Sequence, residues 1–342
     1  MAVSIRDVAV RAGVSVGTVS NVLNRPDRVS PAVVARVHDA IRELGYVRND
    51  AARQLRAGRS SSVGLVVLDA RNPFFTDVAR GAEDAAAERG LTVLLGDSHE
   101  RPEREAAYLD LFEEQRVRGV LVSPLGDVGA RLHRMRQLGT PVVLVDRIAE
   151  DGSLSSVSVD DVAGGRVAVA HLLELGRRRL AFVGGPLELR QVADRLEGAR
   201  TAVAEEPGAR LEVLTVPALS VIEGRRMGER LLGRPARERP DAVFAANDLL
   251  AMGLLQALVM RGGARVPDDI ALIGFDDIDF ASAAVVPLSS VRQPSGEIGR
   301  TALEILAEEA DDASLAPRRI VFRPELVIRA STAGGGYQAD GS

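Results

Sequence analysis

At 342 residues and 46% hydrophobic content, the chain can bury a sizeable core and should form two or three compact units. It has no Cys, which excludes disulfides, thiolate metal sites and a cysteine nucleophile and suits a reducing cytoplasm; no run reaches the ~18 apolar residues of a membrane span, and the N-terminus lacks the pattern of a secretory signal. The net charge is −5, yet residues 1–60 hold ten Arg against five acids, for +5, which leaves −10 on the rest. A basic head on an acidic body presents one end to a polyanion.

Ser4 followed by Asp7 marks a helix N-terminus, Ile5, Val8, Ala9 and Ala12 share one face, and Gly13 ends the helix. Ser15 caps a second helix whose inward positions are Val19, Val22 and Leu23. Two short helices crossing through a tight turn are the geometry of a helix-turn-helix, whose second helix enters the DNA major groove. Ser30 before Pro31 opens a third helix through Val34, Val37, Ile41 and Leu44, which Gly45 stops. Residues 45–59 form a linker in which Asn49 can cap about two helical turns through Ala51, Ala52, Gln54 and Leu55. So short a helix is marginal alone and folds only against a partner.

From Ser62 the pattern alternates strand and helix. The candidate strands are Val63–Leu68, Leu91–Gly96, Gly119–Ser123, Val142–Val145, Leu180–Val183, Leu211–Val216, Ala242–Ala246, Ile270–Phe275 and Ile320–Phe322. Nine or ten strands fit two doubly wound parallel-sheet domains of an α/β body, with crossovers near Asp160 and at Ser289–Pro294. Residues 333–342 read as a disordered tail with no apolar heptads. No Gly-x-Gly-x-x-Gly follows a strand, no phosphate loop or His-x-x-x-His pair is present, and the four His are scattered; an enzyme is not expected, nor a cofactor or metal.

Several stretches together are similar to the LacI/GalR family of bacterial transcription regulators: IRDVAVRAGVSVGTVSNVLN, VSPAVVARVHDAIRELGYVRNDAARQLRAGRS, VGLVVLDARNPFF, LVDR, FVGG, ANDLLAMG, DDIALIGFDD and SSVRQP, in the family's order from about Ser4 to Thr332. The resemblance implies a DNA-binding head (1–47), a hinge helix and linker (48–60) and a body like a periplasmic sugar-binding protein. The body would have one subdomain of 61–160 plus about 291–319 and another of 161–290 plus about 320–332. It implies a homodimer on palindromic operator DNA, most simply a repressor, controlled by a small-molecule effector that is a sugar, with no membrane association. A non-sugar metabolite, or a sugar receptor without a regulatory role, is the alternative.

Carried over by position, Ser15, Val16, Gly17, Thr18, Ser20 and Asn21 lie on the recognition helix. Val16, Gly17 and Asn21 face base edges, with adenine the bidentate partner of an Asn and with Gly17 reading nothing. Thr18, Asn24, Arg28 and Ser30 hold phosphates, and Ile5, Arg6, Tyr46, Asn49, Ala52, Leu55 and Arg56 complete the DNA-facing set. Leu55 from each protomer would wedge into the minor groove and kink the duplex, with Arg56 at the phosphates. The implied effector set is Asn72, Phe74, Phe75, Asp146, Arg147, Leu189, Gln191, Arg195, Leu219, Asn247 and Asp276, at the C-terminal ends of strands. Asp146, Arg195, Asn247 and Asp276 favour a sugar or polyol, whereas Leu189, Gln191 and Leu219 depart from the family's usual contacts, Leu219 replacing an aromatic lid.

Overall fold

The computed structural model describes residues 3–46, 60–126, 129–149, 151–260 and 262–333. The chain divides into two compact units, Met1–Ser60 and Ser61–Ser342.

In the first unit, α1 (Ile5–Ala12) opens with a reciprocal cap. Ser4 Oγ accepts from the Asp7 N–H, and Asp7 Oδ2 accepts from the Ser4 N–H at 2.8 Å. Gly13 ends α1 at φ 64, where a side chain would be strained. Ser15 Oγ accepts from the Thr18 N–H at 3.0 Å and starts α2 (Val16–Asn24). α3 (Pro31–Leu44) follows, closed by Gly45 at φ 62. Ser30 precedes Pro31 as expected, but its hydroxyl makes no cap; its carbonyl accepts from the Val33 and Val34 amides instead. Val8, Ala9, Ala12, Val19, Val22, Val37 and Ala40 form the core of the three helices. Ile5, Val34, Ile41 and Leu44 pack around it half-buried, so the third helix centres on Val37 and Ala40.

The second unit holds two six-stranded sheets, ordered β11-β5-β4-β3-β1-β2 and β12-β10-β9-β8-β6-β7. The first comprises β1 (Ser62–Val67), β2 (Thr92–Asp97), β3 (Val120–Val122), β4 (Val142–Val145), β5 (Ser155–Val159) and β11 (Arg319–Phe322). The second comprises β6 (Arg179–Gly184), β7 (Arg210–Thr215), β8 (Ala242–Ala245), β9 (Ala271–Asp276), β10 (Ser289–Arg292) and β12 (Glu325–Val327). Every pairing is parallel except β10 with β12. The sheets share one strand order, differing in the direction of the last edge strand, and in each the strand order reverses beside the first strand, at β1 and at β6. In α/β sheets this is where a crevice opens beyond the strand ends. Both faces of the first sheet are covered: Val63, Leu65 and Val67 of β1 pack into one apolar cluster and Val66 into another.

Helices fill the faces: α4 (Pro73–Glu88), α5 (Pro102–Glu114), α6 (Gly129–Gln137), α7 (Asp161–Glu174), α8 (Arg190–Ala204), α9 (Val221–Leu232), α10 (Asp248–Met260), the short α11 (Asp279–Ser282), α12 (Ser295–Asp311) and the short α13 (Ala330–Ala333). Three pairs cross at facing glycines. A Cβ on Gly165 or Gly198 would collide with backbone where α7 meets α8; the same holds for Gly224 and Gly253 between α9 and α10, and for Gly81 and Gly299 between α4 and α12. Gly253→Ala therefore lowers stability by about 1–3 kcal/mol despite its gain in helix propensity. At Gly17 a Cβ would meet only Ser15 Oγ at 3.6 Å, so Gly17→Ala stabilises the head by up to about 1 kcal/mol. Thermal melts of the two variants should move in opposite directions.

The chain crosses between sheets three times. Asp160 follows β5 and caps α7 by accepting from the Ala163 N–H, and a second crossing follows β10, both as expected. The expected boundaries at 290/291 and 319/320 shift, because β10 stays in the second sheet while β11 pairs with β5 from Arg319 to Phe322. The third crossing comes at Arg323–Pro324, where Pro ends the β11 ladder. The strands β5, β10 and β12 were not anticipated, the residues of β10 having been read only as a crossover.

Candidate functional site

The lobes meet at a cavity of about 40 Å³ built from strand ends and the loops that follow them. Leu68, Asp69, Asn72, Phe74 and Phe75 come after β1, Glu100 after β2 and Asp146 after β4; Leu189, Gln191, Val192 and Arg195 come after β6, Leu219 after β7, Asn247 after β8 and Asp276 ends β9. Two side chains close it from lobe to lobe with three hydrogen bonds. Asn72 Nδ2 donates to Asp276 Oδ2 at 3.1 Å, and Gln191 Nε2 donates to Asp146 O at 2.7 Å and Oδ2 at 2.9 Å. The space holds little more than water, so a larger guest must separate these pairs.

Arg195 is the centre of the polar wall. Its Nε donates to Asp161 Oδ1 at 2.7 Å and its Nη1 to Ala246 O at 2.8 Å, Asp276 lies 3.8 Å away, and the guanidinium covers the Phe275 ring at 3.7 Å. Phe74 and Phe75 form an edge-on pair 5.0 Å apart that makes the apolar wall. Asp146 and Asp276 sit at φ 56 and φ 108, a region non-glycine residues avoid and that gathers at functional sites. Among the residues lining the cavity, two buried polar atoms have no partner: Asp146 Oδ1, an acceptor, and Asn247 Nδ2, a donor. The Asn247 Oδ1 is already used, accepting from the Leu250 N–H to start α10. A hydroxyl, which donates and accepts at once, satisfies both.

Three carboxylates around one guanidinium cannot all ionise cheaply. Burial, reinforced by Asp161, pushes Asp146 well above the carboxylate range, and burial also raises Asp276 against Arg195, Asn72 and Gln293. Asp161 is pushed up to about 6 by burial, with Arg195 opposing. Burial alone would lower Arg195, but its three acidic neighbours more than offset this and keep it charged. The folded chain therefore holds protons that the unfolded chain releases above its ordinary value of 3.8. For Asp161 the cost of burying the ionised carboxylate is complete above about pH 6 and relieved as pH falls through the window below it. The ligand-free body should gain at least about 1 kcal/mol, or about 2–4 °C in Tm, from pH 7 to pH 5. A flat or falling melt over that range would mean that all three are ionised.

Of the expected effector residues, Asn72, Phe74, Phe75, Asp146, Leu189, Gln191, Arg195, Leu219, Asn247 and Asp276 converge on this cavity. Arg147 does not. The left-handed turn at Asp146 delivers it to a neighbouring cavity of about 260 Å³, with Ile148, Arg190 and Arg319. Leu68, Asp69, Glu100 and Val192 line the cleft without having been anticipated, though Glu100 obeys the same strand-end rule. Asp161, in the first turn of α7, was not anticipated and carries the Arg195 ion pair. Gln293 was also missed; its Nε2 donates to Asp276 Oδ1 at 2.8 Å. Asp248 accepts from Ser290 Oγ and the Ile278 N–H, whereas Asp277 pairs with Arg292 and Arg329.

On the head, α2 turns Val16, Gly17 and Asn21 outward, while Thr18 and Ser20 are half-buried. Ser15 and Thr18 bond each other, and Asn24 Nδ2 donates to Ser20 O. Arg6, Arg28 and Ser30 are exposed, whereas Ile5 and Tyr46 partly pack into the core. Asn49, Ala52, Leu55 and Arg56 lie outside the described residues.

A helix-turn-helix head and a two-lobed body with a polar cleft at its strand ends define a ligand-responsive, DNA-binding regulator rather than an enzyme. Residues 4–49 match the bacterial regulatory proteins of the lacI family, and residues 169–332 match a periplasmic binding protein-like domain. The chain is 34% identical to the ribose operon repressor of Halalkalibacterium halodurans, over 97% of its own length and 98% of that protein. The structure of the lac repressor dimer bound to operator and the anti-inducer ONPF is similar at 26% identity and a TM-score of 0.81, covering 97% of this chain and 100% of that one. A LacI family transcriptional regulator from Enterococcus faecium with bound ribose is similar at 28% identity and a TM-score of 0.72, covering 80% of this chain and 99% of that one. The chain belongs to the LacI family of transcription regulators. No helix among its described residues is long and apolar enough to cross a membrane.

Proposed function

We propose that the protein is a cytoplasmic repressor that binds a palindromic operator as a homodimer and changes its grip when a sugar occupies the cleft. The observation that carries the sugar reading is the pair of unpartnered polar atoms, Asp146 Oδ1 and Asn247 Nδ2, beside Arg195 and Asp276 and opposite the Phe74–Phe75 wall. Vicinal hydroxyls supply donors and acceptors together, and the ring's apolar face meets the aromatics. The ribose operon repressor and the ribose-bound regulator support a pentose as the first candidate. On the head, Val16 and Asn21 read base edges, Gly17 leaves its position unread, and Ser15, Thr18, Ser20, Asn24, Arg28 and Ser30 settle the helix on the backbone, with Ile5, Arg6, Tyr46 and Asn49 at its flanks.

Control follows from the cross-lobe bonds. A guest that displaces Gln191 from Asp146 or Asn72 from Asp276 changes the tilt of one lobe on the other, and with it the spacing of the two linkers in a dimer. In this reading Leu55 of each copy wedges at the operator centre, with Ala52 and Arg56 beside it. Titration of sugars into the purified protein tests the cleft: one at a hundred times its Kd should stabilise the body by about 2.7 kcal/mol, a rise in Tm of several degrees. A sugar panel that leaves the melt unmoved would overturn the sugar reading.

A further inference from the structure

Glu100 places a carboxylate on the cleft wall that pairs with nothing. It lines the cavity with Asp69, Asn72 and Phe75, and its side chain has no hydrogen-bond or ion-pair partner among the described residues. Its backbone lies at φ 54, pinned by its own N–H donating to Leu68 O at 3.0 Å. Among the described residues six non-glycines have positive φ, and three of them, Glu100, Asp146 and Asp276, line this one cavity. Burial and the neighbouring Asp69 raise the Glu100 carboxyl, with Arg71 opposing, as expected of an acid turned toward a closed space.

The cations around the cleft are committed. Arg71 is held by two bonds to Asp69, at 2.9 and 2.8 Å, and Arg195 is engaged by Asp161 and the Ala246 carbonyl. With Asp69 paired to Arg71, the wall offers Glu100, Asp146 and Asp276 against a single guanidinium that already has its partners. Resting on the sugar reading above, we infer that Glu100 is a specificity residue, which accepts hydrogen bonds from hydroxyls of an uncharged sugar and rejects the phosphorylated form of the same sugar. A phosphate brought against an unpaired carboxylate in a half-buried site meets like charge with no counterion to share, and discrimination by repulsion needs nothing more.

The test is isothermal titration of the full chain with matched pairs, ribose with ribose 5-phosphate and glucose with glucose 6-phosphate, repeated on Glu100→Gln. In the wild type, one free sugar binds and its ester binds at least about 100-fold more weakly, a ratio that needs no variant to be read. Glu100→Gln narrows that ratio about tenfold or more, because the amide removes the charge at nearly the same shape. An ester that binds as well as the free sugar overturns the inference. If that ester binding is lost in Arg147→Ala, the phosphate sits in the neighbouring cavity. A free sugar that binds with a ratio Glu100→Gln leaves unchanged overturns this inference alone, whereas a failure of every sugar to bind removes the sugar reading and this one with it.

Discussion

Arg195→Met should destabilise the body by about 3–5 kcal/mol and abolish any response to sugar. The substitution keeps most of the side-chain volume but leaves Asp161 and Asp276 buried without their cation, and breaking a buried pair from one side is far costlier than never having built it. It also removes the guanidinium lying over Phe275 and orphans the Ala246 carbonyl. The expected fall in Tm is about 6–20 °C. Arg195→Met combined with Asp161→Asn should recover a substantial part of it, since a neutral amide no longer needs the charge. A single variant that melts like the wild type would show that Asp161 and Asp276 are already neutral in the folded protein, and the account of the cleft's electrostatics would be wrong.

Asn21→Ala is the corresponding test on the head. Asn21 is exposed on α2, and its amide can donate to and accept from one adenine edge in the major groove. Its loss should cost about 1–3 kcal/mol, or roughly 5- to 150-fold, against the cognate operator. Non-specific DNA should be bound as before, and the salt slope should stay unchanged because no phosphate contact is removed. Arg28→Ala should do the opposite, weakening all sequences similarly and reducing the slope by about one. Competition titrations at several salt concentrations separate the two. Equal losses on cognate and random DNA for Asn21→Ala would take α2 out of the base-reading role.

What could be read from the sequence follows from how local each signal is. The Ser4–Asp7 box, the Ser15 cap and the stops at Gly13 and Gly45 are made by neighbours in the chain, and all formed where the residues placed them. The strand β5 was hidden because SSVSV reads as a loop. Of its three buried serines only Ser155 finds distant partners, its Oγ donating to Glu309 of α12 and accepting from the Arg318 N–H, whereas the Ser156 and Ser158 hydroxyls have none among the described residues. β12 is three residues after a Pro, too short to carry a period.

The cleft divides in the same way. Residues at strand ends were visible as a class, and ten of the eleven named converge. Asp161 escaped because its partner is 34 residues away on another helix, while its local position matches an ordinary first turn. Glu100 and Arg147 turn on backbone at positive φ, at Glu100 itself and at Asp146, which a Glu or Asp does not advertise as a Gly would.

The central claim is that occupancy of the cleft is felt at the operator. Fluorescence anisotropy of a labelled palindrome from the DNA flanking the protein's own gene, at fixed salt, with and without each sugar, tests it most directly. The account predicts saturable binding by a dimer, a change of about 5- to 150-fold in affinity with one sugar, and no change with that sugar in Asp276→Asn. Saturable binding that no sugar alters, by a protein whose melt those same sugars do raise, would contradict it: the cleft would be a binding site, but not the switch.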